Sequence, residues 1–350
     1  MLFRNYTPFP PLLFESRDEK RQDFGVVVLR GTFEIRQGRR LGLVPVQEPL
    51  VMADEYFGDP GDSSLRIEGS LAPFKPRTDV TVTADAVAPE GVPREGWPCA
   101  VAFGSARASV YVTGPRRWSR TLGVWSASRI EPARRVPLRY EYAYGGAFES
   151  DDGPVRFAPN PVGRGFVHPG TREPVPIPQV LPHRIDRPKF GEEIAVAGFG
   201  PIAPSWEPRS ARAGTYNAIW RKTRWPDLPE DFSFDFYSCA AAGLTLPEFA
   251  KGDEEVRLTH LSEDPELTFQ LPGFELATLL RFASGELVPA PLHLDSVHVD
   301  VPSSRAFLTW RGMYPLHAPL RVLEVRMRAP EEYIDNGAAP LREEHEVARG

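Results

Sequence analysis

Proline is spread through the whole of this chain, and that spread limits what the chain can fold into. The 350 residues include 38 prolines and 29 glycines. A proline inside a helix removes a backbone donor and costs about 3 kcal/mol, whereas proline and glycine are both common in the turns between strands. Long helices are therefore excluded over most of the sequence. We expect a mainly β fold made of two packed, β-sandwich-like lobes with long Pro/Gly-rich loops and few short helices.

Apolar runs and alternating patterns locate the strands. Phe24–Leu29 is a short apolar run, and Val80–Val87 alternates between apolar and polar residues. The face that this alternation predicts to be apolar carries Val80, Val82, Ala84 and Ala86. The strands assign residues 1–130 to an N-terminal β-rich lobe and 131–328 to a second β-rich lobe. Residues 329–350 are expected to form a charged C-terminal tail.

One short helix is predicted in the second lobe, near residues 215–225. Thr215 precedes the periodic segment as a candidate N-cap, and Pro226 ends it. Three large apolar residues recur at helical spacing and would form the apolar stripe of this helix: Tyr216, Ile219 and Trp220.

Residues 137–146, with the sequence PLRYEYAYGG, combine aromatic residues with paired glycines. In a strand, residues two apart share a face, so the tyrosines would line one face of an extended segment. This arrangement places Tyr140, Tyr142 and Tyr144 on one side and Arg139 and Glu141 on the other. Gly145 and Gly146 then permit a sharp turn, because glycine tolerates positive φ.

Residues 160–166, with the sequence NPVGRGF, form a second phrase of the same kind. Gly163 and Gly165 relax the backbone so that the chain can bend twice after Asn160. Two interpretations of the two phrases stay open: a ledge that binds a partner, and an aromatic hairpin whose glycine turns are purely architectural.

Composition and charge exclude several classes of function. The net charge of −6 disfavours a nucleic-acid binder, which needs a basic face to neutralise phosphates. No run approaches the roughly 18 apolar residues that span a bilayer, and the first residues lack a signal-peptide pattern, so we expect a cytoplasmic protein. Cys99 and Cys239, the only cysteines, are predicted to be buried free thiols. No cofactor loop is recognisable.

The nearest approach to a metal or acid/base cluster is a pair of His-x-Asp sequences near the end of the chain. His293 and Asp295 would share one strand face, and His298 and Asp300 the other, unless a bulge intervenes. A solvated or hydrogen-bonded strand edge is therefore expected instead of a metal site. No activated serine motif is present, and no catalytic residue is assigned.

One loop has the composition of an interface anchor. Trp206 and Arg209 lie three residues apart and combine a large aromatic ring with a forked hydrogen-bond donor. We expect both side chains at a binding surface, whereas most of the other tryptophans are expected in the core.

Taken in order along the chain, a dozen short phrases resemble a bacterial family of unknown-function domains encoded in type VI secretion loci. They include Gln47-x-Pro49, Gly58-Asp-Pro60, Lys75-Pro-x-Thr-Asp79, Pro137-Leu-Arg-Tyr-Glu141, Gly145-Gly146, Asn160-Pro-x-Gly163-x-Gly165, Trp206-x-Pro-Arg209, Gly214-Thr-Tyr216 with Trp220, and Leu228-Pro-x-Asp-Phe232. Members are regarded as effector adaptors or chaperones.

The resemblance implies a non-enzymatic protein that binds a toxin effector and helps to load it onto a PAAR-repeat or VgrG spike protein. The motif residues of the phrases would then be the candidate partner-binding residues. An alternative from another class is a carbohydrate-active or other hydrolytic β protein that uses an acid pair, with Glu141, Asp295 or Asp300 as its carboxylates. A lectin-like binding module is a third possibility.

Overall fold

The computed structural model describes residues 1–316 and 318–330. Strands account for 43% of the residues and helices for 6%. The expectation of a mainly β fold with few short helices is therefore confirmed. The predicted C-terminal tail, 329–350, falls almost entirely outside the described residues.

The structure contains 26 short strands and one α-helix within this part of the chain. The strands are β1 (Leu2–Asn5), β2 (Pro11–Arg17), β3 (Asp23–Glu34), β4 (Arg39–Arg40), β5 (Gly42–Leu43), β6 (Glu55–Tyr56), β7 (Leu65–Ile67), β8 (Asp79–Thr83), β9 (Asp85–Val87), β10 (Gly96–Phe103), β11 (Ala106–Thr113), β12 (Arg117–Thr121), β13 (Val124–Ala127), β14 (Arg135–Pro137), β15 (Tyr144–Gly145), β16 (Ala147–Ser150), β17 (Gly153–Arg156), β18 (Arg164–Gly165), β19 (Val175–Pro176), β20 (Val180–Leu181), β21 (Glu255–Thr259), β22 (Glu266–Gln270), β23 (Glu275–Phe282), β24 (Leu287–Asp300), β25 (Arg305–Pro315) and β26 (Leu320–Arg328). The helix is α1 (Ala218–Thr223), and 3₁₀ turns occur at Pro89–Gly91, Tyr140–Tyr142, Ser210–Arg212 and Phe234–Tyr237.

The large sheet has nine strands and curls into a half-barrel. Its order is β1-β26-β23-β24-β25-β3-β2, with β5 added on β3 and β8 added on β24. The long strand β24 changes partner along its length, because β23 pairs with residues 287–292 and β8 pairs in parallel with residues 296–300. A second sheet has the order β20-β11-β10-β21-β22-β4. Both sheets take strands from each side of residue 130, and the division of the chain into domains at that position stays a prediction.

The two faces of the large sheet differ in chemistry where β8, β24, β25 and β3 lie side by side. One face is apolar and fully buried, and it carries Val80, Val82, Val297, Val299, Leu308, Leu29 and Phe33. The predicted apolar face is thereby confirmed for Val80 and Val82, whereas β8 ends at Thr83 and residues 85–87 form the separate strand β9, which pairs with β14. The other face, called here the polar face, carries two rows of paired residues: Thr81, His298, Phe307 and Thr32, and beside them Asp79, Ser296, Thr309 and Arg30. Most of these polar residues are also buried, because the chain covers this face too.

A bulge in β24 determines which residues reach the polar face. The pairing of β24 with β25 shifts between Leu294 and Ser296, so Asp295 is the extra residue. Beyond the bulge the alternation is reversed, and His298 faces the same side as His293. The sequence left open whether a bulge separates the two His-x-Asp sequences. The bulge is present, and His293 and His298 therefore lie on one face.

The tyrosine-rich phrase does not form the predicted strand. Tyr140–Tyr142 is a 3₁₀ turn in which Tyr140 is buried, and only Tyr144 and Gly145 form a short strand, parallel to β18. The cause is a set of hydrogen bonds from a distant side chain: Asn160 Nδ2 donates to the carbonyl oxygens of Tyr140 (2.8 Å) and Tyr144 (2.9 Å). These bonds gather the two carbonyls around one amide, which an extended chain cannot do.

Gly145 sits where the two glycine-rich phrases touch. Its φ is +151°, and a Cβ atom at this position would lie 2.0 Å from the backbone oxygen of Asn160. The opposing atom belongs to the backbone and cannot rotate away. Close packing of two chain segments thus explains the glycine at this position, and the partner-binding ledge stays a prediction.

Replacing Gly145 with alanine should lower the free energy of unfolding by about 3 kcal/mol or more, since both the φ angle and the overlap with Asn160 are unfavourable. Gly153→Ala is the matched control, because Gly153 also has a positive φ (+108°) but no atom within 4 Å of the place that a Cβ would occupy. It should lose only about 1 kcal/mol. Urea denaturation of both variants checks this, and equal losses would show that packing against Asn160 is unimportant.

Candidate functional site

Six charged side chains, called here the ionic network, lie together in the interior beside the polar face. They are Glu68, Lys75, Asp79, Arg209, Asp295 and Arg311. Lys75 Nζ lies 2.5 Å from one Glu68 oxygen and 3.1 Å from Asp79 Oδ2. The second Glu68 oxygen lies 2.7 Å from Arg209 Nη2. The predicted motif residues Lys75, Asp79 and Arg209 are thus brought together, but inside the protein.

The network is a set of satisfied charges around a neutral thiol. Burial alone would lower the pKa of Lys75, but the carboxylates of Glu68 and Asp79 beside it outweigh burial and raise that pKa above its ordinary value. The pKa of Glu68 is lowered overall: burial alone would raise it, but the nearby cations of Lys75 and Arg209 outweigh burial. For Cys239, burial raises the pKa of the thiol well above its usual range. A protonated, buried thiol is a poor nucleophile.

Both cysteines are buried and free, as the sequence predicted. Burial raises the pKa of Cys99 to about 12, and its thiol lies 3.6 Å from the carbonyl oxygen of His260. Cys239 lies 3.7 Å from Lys75 Nζ, which points a hydrogen at the sulfur. Each cysteine therefore acts as a small interior side chain in this structure.

Asp295 and Arg311 form the second part of the network. Arg311 Nε lies 2.7 Å from Asp295 Oδ2, and Arg311 also donates to the carbonyl oxygens of Ser70 and Ala72. The pKa of Asp295 is raised by burial, with Arg311 opposing the rise. Of the expected solvated or hydrogen-bonded strand edge, only the hydrogen bonding is found for Asp295, which accepts from Arg311 and Ser296. Its position is not an edge, since β24 is a central strand and Asp295 is buried at its bulge.

The histidines nearby do not assemble a metal site. His293 stacks on Phe249 with ring centroids 4.3 Å apart, and His298 Nδ1 lies 2.9 Å from Thr81 Oγ1. Within residues 1–316 and 318–330, no group of three or more His, Cys, Asp or Glu side chains is arranged to hold a metal ion.

The motif residues within 137–166 make several contacts within the chain. Glu141 accepts hydrogen bonds from the backbone nitrogen (2.8 Å) and hydroxyl (2.6 Å) of Ser64, and the Arg139 guanidinium lies 4.0 Å from the centre of the Phe57 ring. Gly146 donates its backbone hydrogen to Asn160, at 2.8 Å. Gly163 approaches the Asn160 amide so closely that a Cβ there would lie 2.5 Å from Nδ2. The hydrolytic alternative, which needs a free acid pair, stays a prediction.

The prediction of an exposed anchor at Trp206 and Arg209 is wrong, because both side chains are buried. Trp206 packs edge-on against Tyr140, with ring centroids 5.6 Å apart, and the Tyr140 hydroxyl donates to Gly200 at 2.9 Å. Arg209 donates to the carbonyl oxygens of Ile202 and Phe236 in addition to its pair with Glu68. The forked donor joins segments of this chain instead of binding another.

The helix near residue 215 is present but is shorter than predicted. Asn217 is its N-cap, since its side-chain oxygen accepts from the backbone nitrogen of Trp220 at 2.9 Å. Thr215 is not the cap, because Asp231 binds both its backbone nitrogen (2.9 Å) and its hydroxyl (2.6 Å). Arg224, where the helix ends, donates to the carbonyl oxygen of Leu228.

The apolar stripe of α1 faces solvent, an orientation that the sequence pattern did not predict. Tyr216 is 53% exposed, Ile219 71% and Trp225 68%. With Trp220 they form what we call the α1 patch, and three of the four, Tyr216, Trp220 and Trp225, line a shallow depression of about 570 Å³. A helical apolar stripe normally predicts packing on a core, so the sequence carries no signal for this orientation.

Polar contacts hold the α1 patch in place. Asp227 accepts ion pairs from Arg17 (3.0 Å) and Arg21 (2.9 Å), which belong to β2 and the turn after it. The backbone oxygen of Asp227 accepts from the Trp220 indole nitrogen at 2.9 Å. Arg224 pairs with Glu230 at 2.8 Å. The segment is therefore fastened to the large sheet by charge, which leaves its apolar side chains free to face outward.

The fold and these two sites define a mainly β protein with a charged interior and an exposed apolar patch on a short helix. Residues 20–311 match the family described as an uncharacterized protein conserved in bacteria (DUF2169), and the chain belongs to that family. No curated protein and no solved structure matches the chain significantly. Across the described residues, no helix has the length and hydropathy needed to cross a membrane.

Removing one partner of the buried Asp295–Arg311 pair should be costly. Arg311→Met leaves a buried carboxylate without its cation, and we expect a loss of about 3–5 kcal/mol in unfolding free energy. The double variant Asp295→Leu/Arg311→Met removes both charges and should regain at least half of that loss. Chemical denaturation gives the unfolding free energies of the unaltered protein, the single variant and the double variant.

The matched control is Arg257→Met, which breaks the exposed pairs of Arg257 with Glu255 and Glu266. Its denaturation midpoint should not change measurably, because exposed ion pairs are screened by solvent. A double variant as unstable as Arg311→Met would show that the charges themselves are not what makes the single substitution costly.

Proposed function

We propose that this protein is a non-enzymatic adaptor that binds another polypeptide through the α1 patch. The resemblance of its ordered sequence phrases to type VI secretion adaptors gives the partner class: a toxin effector that is loaded onto a PAAR-repeat or VgrG spike protein. Binding is stoichiometric, and no bond is made or broken.

The observation that carries this proposal is the exposure of the α1 patch on a rigid support. Large apolar side chains held in water are unfavourable, at roughly 25 cal/mol per Å² of apolar surface, and contiguous patches of them commonly mark protein interaction sites. Trp and Tyr are also the residues most often found as binding hot spots. The ion pairs of Asp227 keep the patch preformed, so little ordering entropy is lost when a partner binds.

The charges around the patch favour one kind of partner segment. Arg221 and Lys222 lie on α1 itself and are exposed. An apolar segment flanked by carboxylates would cover Ile219 and Trp225 and meet these two cations at the rim. In the free effector such a segment is an aggregation hazard, and the adaptor would keep it soluble until transfer to the spike.

The location of the predicted motif residues supports a binding role for the α1 patch and a structural role for most of the motifs. The ionic network and the glycine-rich phrases are occupied in holding the chain together, and they leave the α1 patch as the place where apolar surface is offered. The adaptor therefore depends on its motifs indirectly, since they build the support on which α1 sits.

Truncating the patch should weaken partner binding without unfolding the protein. We expect Ile219→Ala and Trp225→Ala each to raise the Kd for the effector encoded beside this protein at least tenfold, which corresponds to about 1.4 kcal/mol. The two proteins are purified separately, and the Kd is measured by titrating one into the other in a calorimeter. Val124→Ala, at another exposed apolar residue (69%) on β13, is the control and should leave the Kd unchanged. Unaltered binding by both α1 variants would refute the proposed contact.

A further inference from the structure

A small cavity of about 40 Å³ lies against the polar face of the large sheet. Its wall is formed by residues of four neighbouring strands, among them Arg30 (β3), Thr81 (β8), His298 (β24) and Thr309 (β25). Neither the α1 patch nor the proposed adaptor function involves these residues. The cavity is polar on several sides and is enclosed by the segment that carries Glu68 and Ser70.

One buried nitrogen on this wall has no protein partner. His298 is 8% exposed, and its Nδ1 lies 2.9 Å from the Thr81 hydroxyl. Its Nε2 is buried and makes no hydrogen bond to any described residue. Leaving a buried polar atom unsatisfied costs roughly 1–3 kcal/mol, so a group of complementary chemistry is expected beside it.

The same wall holds a buried cation without a close counter-ion. Arg30 is 4% exposed, its guanidinium lies 3.9 Å from the centre of the Phe307 ring, and it donates to the Pro49 carbonyl oxygen at 2.9 Å. Among residues 1–316 and 318–330, no carboxylate lies within ion-pair distance of it, and Glu48 and Glu55 act on it only from further away. Burial lowers the pKa of Arg30 to about 10, a value at which it stays charged near neutral pH.

The charges that act most strongly on His298 are positive. The ionic network contributes three cations and three carboxylates that pair with one another, and Arg30 adds a further cation. Burial, followed by the charges of Arg30 and Arg66, lowers the pKa of His298 to about 3, so the imidazole is neutral. If the Thr81 hydroxyl donates to Nδ1, the ring hydrogen is on Nε2 and is available to an acceptor.

We propose that this cavity binds one monovalent inorganic anion of halide size, which accepts a hydrogen bond from His298 Nε2–H and neutralises Arg30. A water molecule needs roughly 10–15 Å³ of such space, so 40 Å³ is enough for a single small ion. An anion here would accept from His298 Nε2–H and place a negative charge in the cavity that the buried Arg30 also lines. It would act as a structural ligand that joins the four strands of the polar face.

Bromide is the probe that tests the site, because its anomalous scattering identifies it directly. Crystals of the full chain grown in chloride and transferred to sodium bromide should show one strong anomalous peak within hydrogen-bonding distance of His298 Nε2. An ordered water at that position, with no anomalous signal at saturating bromide, overturns the proposal. This measurement needs no variant and does not depend on the adaptor function.

Solution measurements supply the second test. Chloride and bromide should raise the melting temperature of the protein relative to sodium gluconate at the same ionic strength, with a saturable dose response. His298→Phe should raise the apparent halide Kd more than tenfold, whereas His293→Phe, at a histidine outside the cavity, should leave it unchanged. Equal responses to halide and gluconate in the unaltered protein contradict the site even if His298→Phe fails to fold.

Discussion

The position of Lys75 between Glu68 and Asp79 is the interaction on which the rest of this structure depends. An ammonium group on a side chain that is 2% exposed is tolerable only when carboxylates surround it, and here they come from the loop before β8 and from β8 itself. Glu68 extends the pairing to Arg209, which lies 141 residues away in the sequence. Buried ion pairs contribute little net stability compared with an apolar core, but they do fix geometry, since a displaced segment would leave an unpaired charge in the interior. The network thereby sets where the covering segments lie on the polar face of the sheet.

This constraint explains why so many conspicuous residues are structural. Where β8, β24, β25 and β3 lie side by side, the large sheet is buried on both faces, one by an apolar core and the other by loops that could not pack there without polar partners. Asn160, Glu141 and Arg209 supply those partners by binding backbone groups of distant segments. The segment around α1 is fastened by Arg17 and Arg21 to Asp227 at the end of the same sheet. Because ion pairs hold this segment in place, Trp225 and Ile219 stay exposed, and we propose that they contact a partner.

The sequence predicted the parts of the fold that local physics determines. Proline density and the alternation of residues 80–87 led to a mainly β fold with one short helix, and the structure agrees. Local patterns failed where distant residues intervene: Asn160 turns the tyrosine phrase into a 3₁₀ turn, and Asp231 takes Thr215 away from the helix cap. The ionic network could not be predicted from the sequence either. Lys75 and Arg209 are visible there only as motif residues, and only the structure shows that Glu68 pairs with both. The sequence alone does not determine whether β24 contains a bulge at Asp295, because its alternation is compatible with either register until the pairing with β25 is known.

The most direct measurement is hydrogen–deuterium exchange on the free protein and on its complex with the effector proposed as its partner, because it locates the contact without any substitution. We expect binding to slow exchange in residues 214–231 and to leave the already protected amides of 137–166 and of the segment around Lys75 unchanged. Slowed exchange confined to 137–166, with residues 214–231 exchanging as in the free protein, would contradict it and return the glycine-rich phrases to the role of a binding ledge.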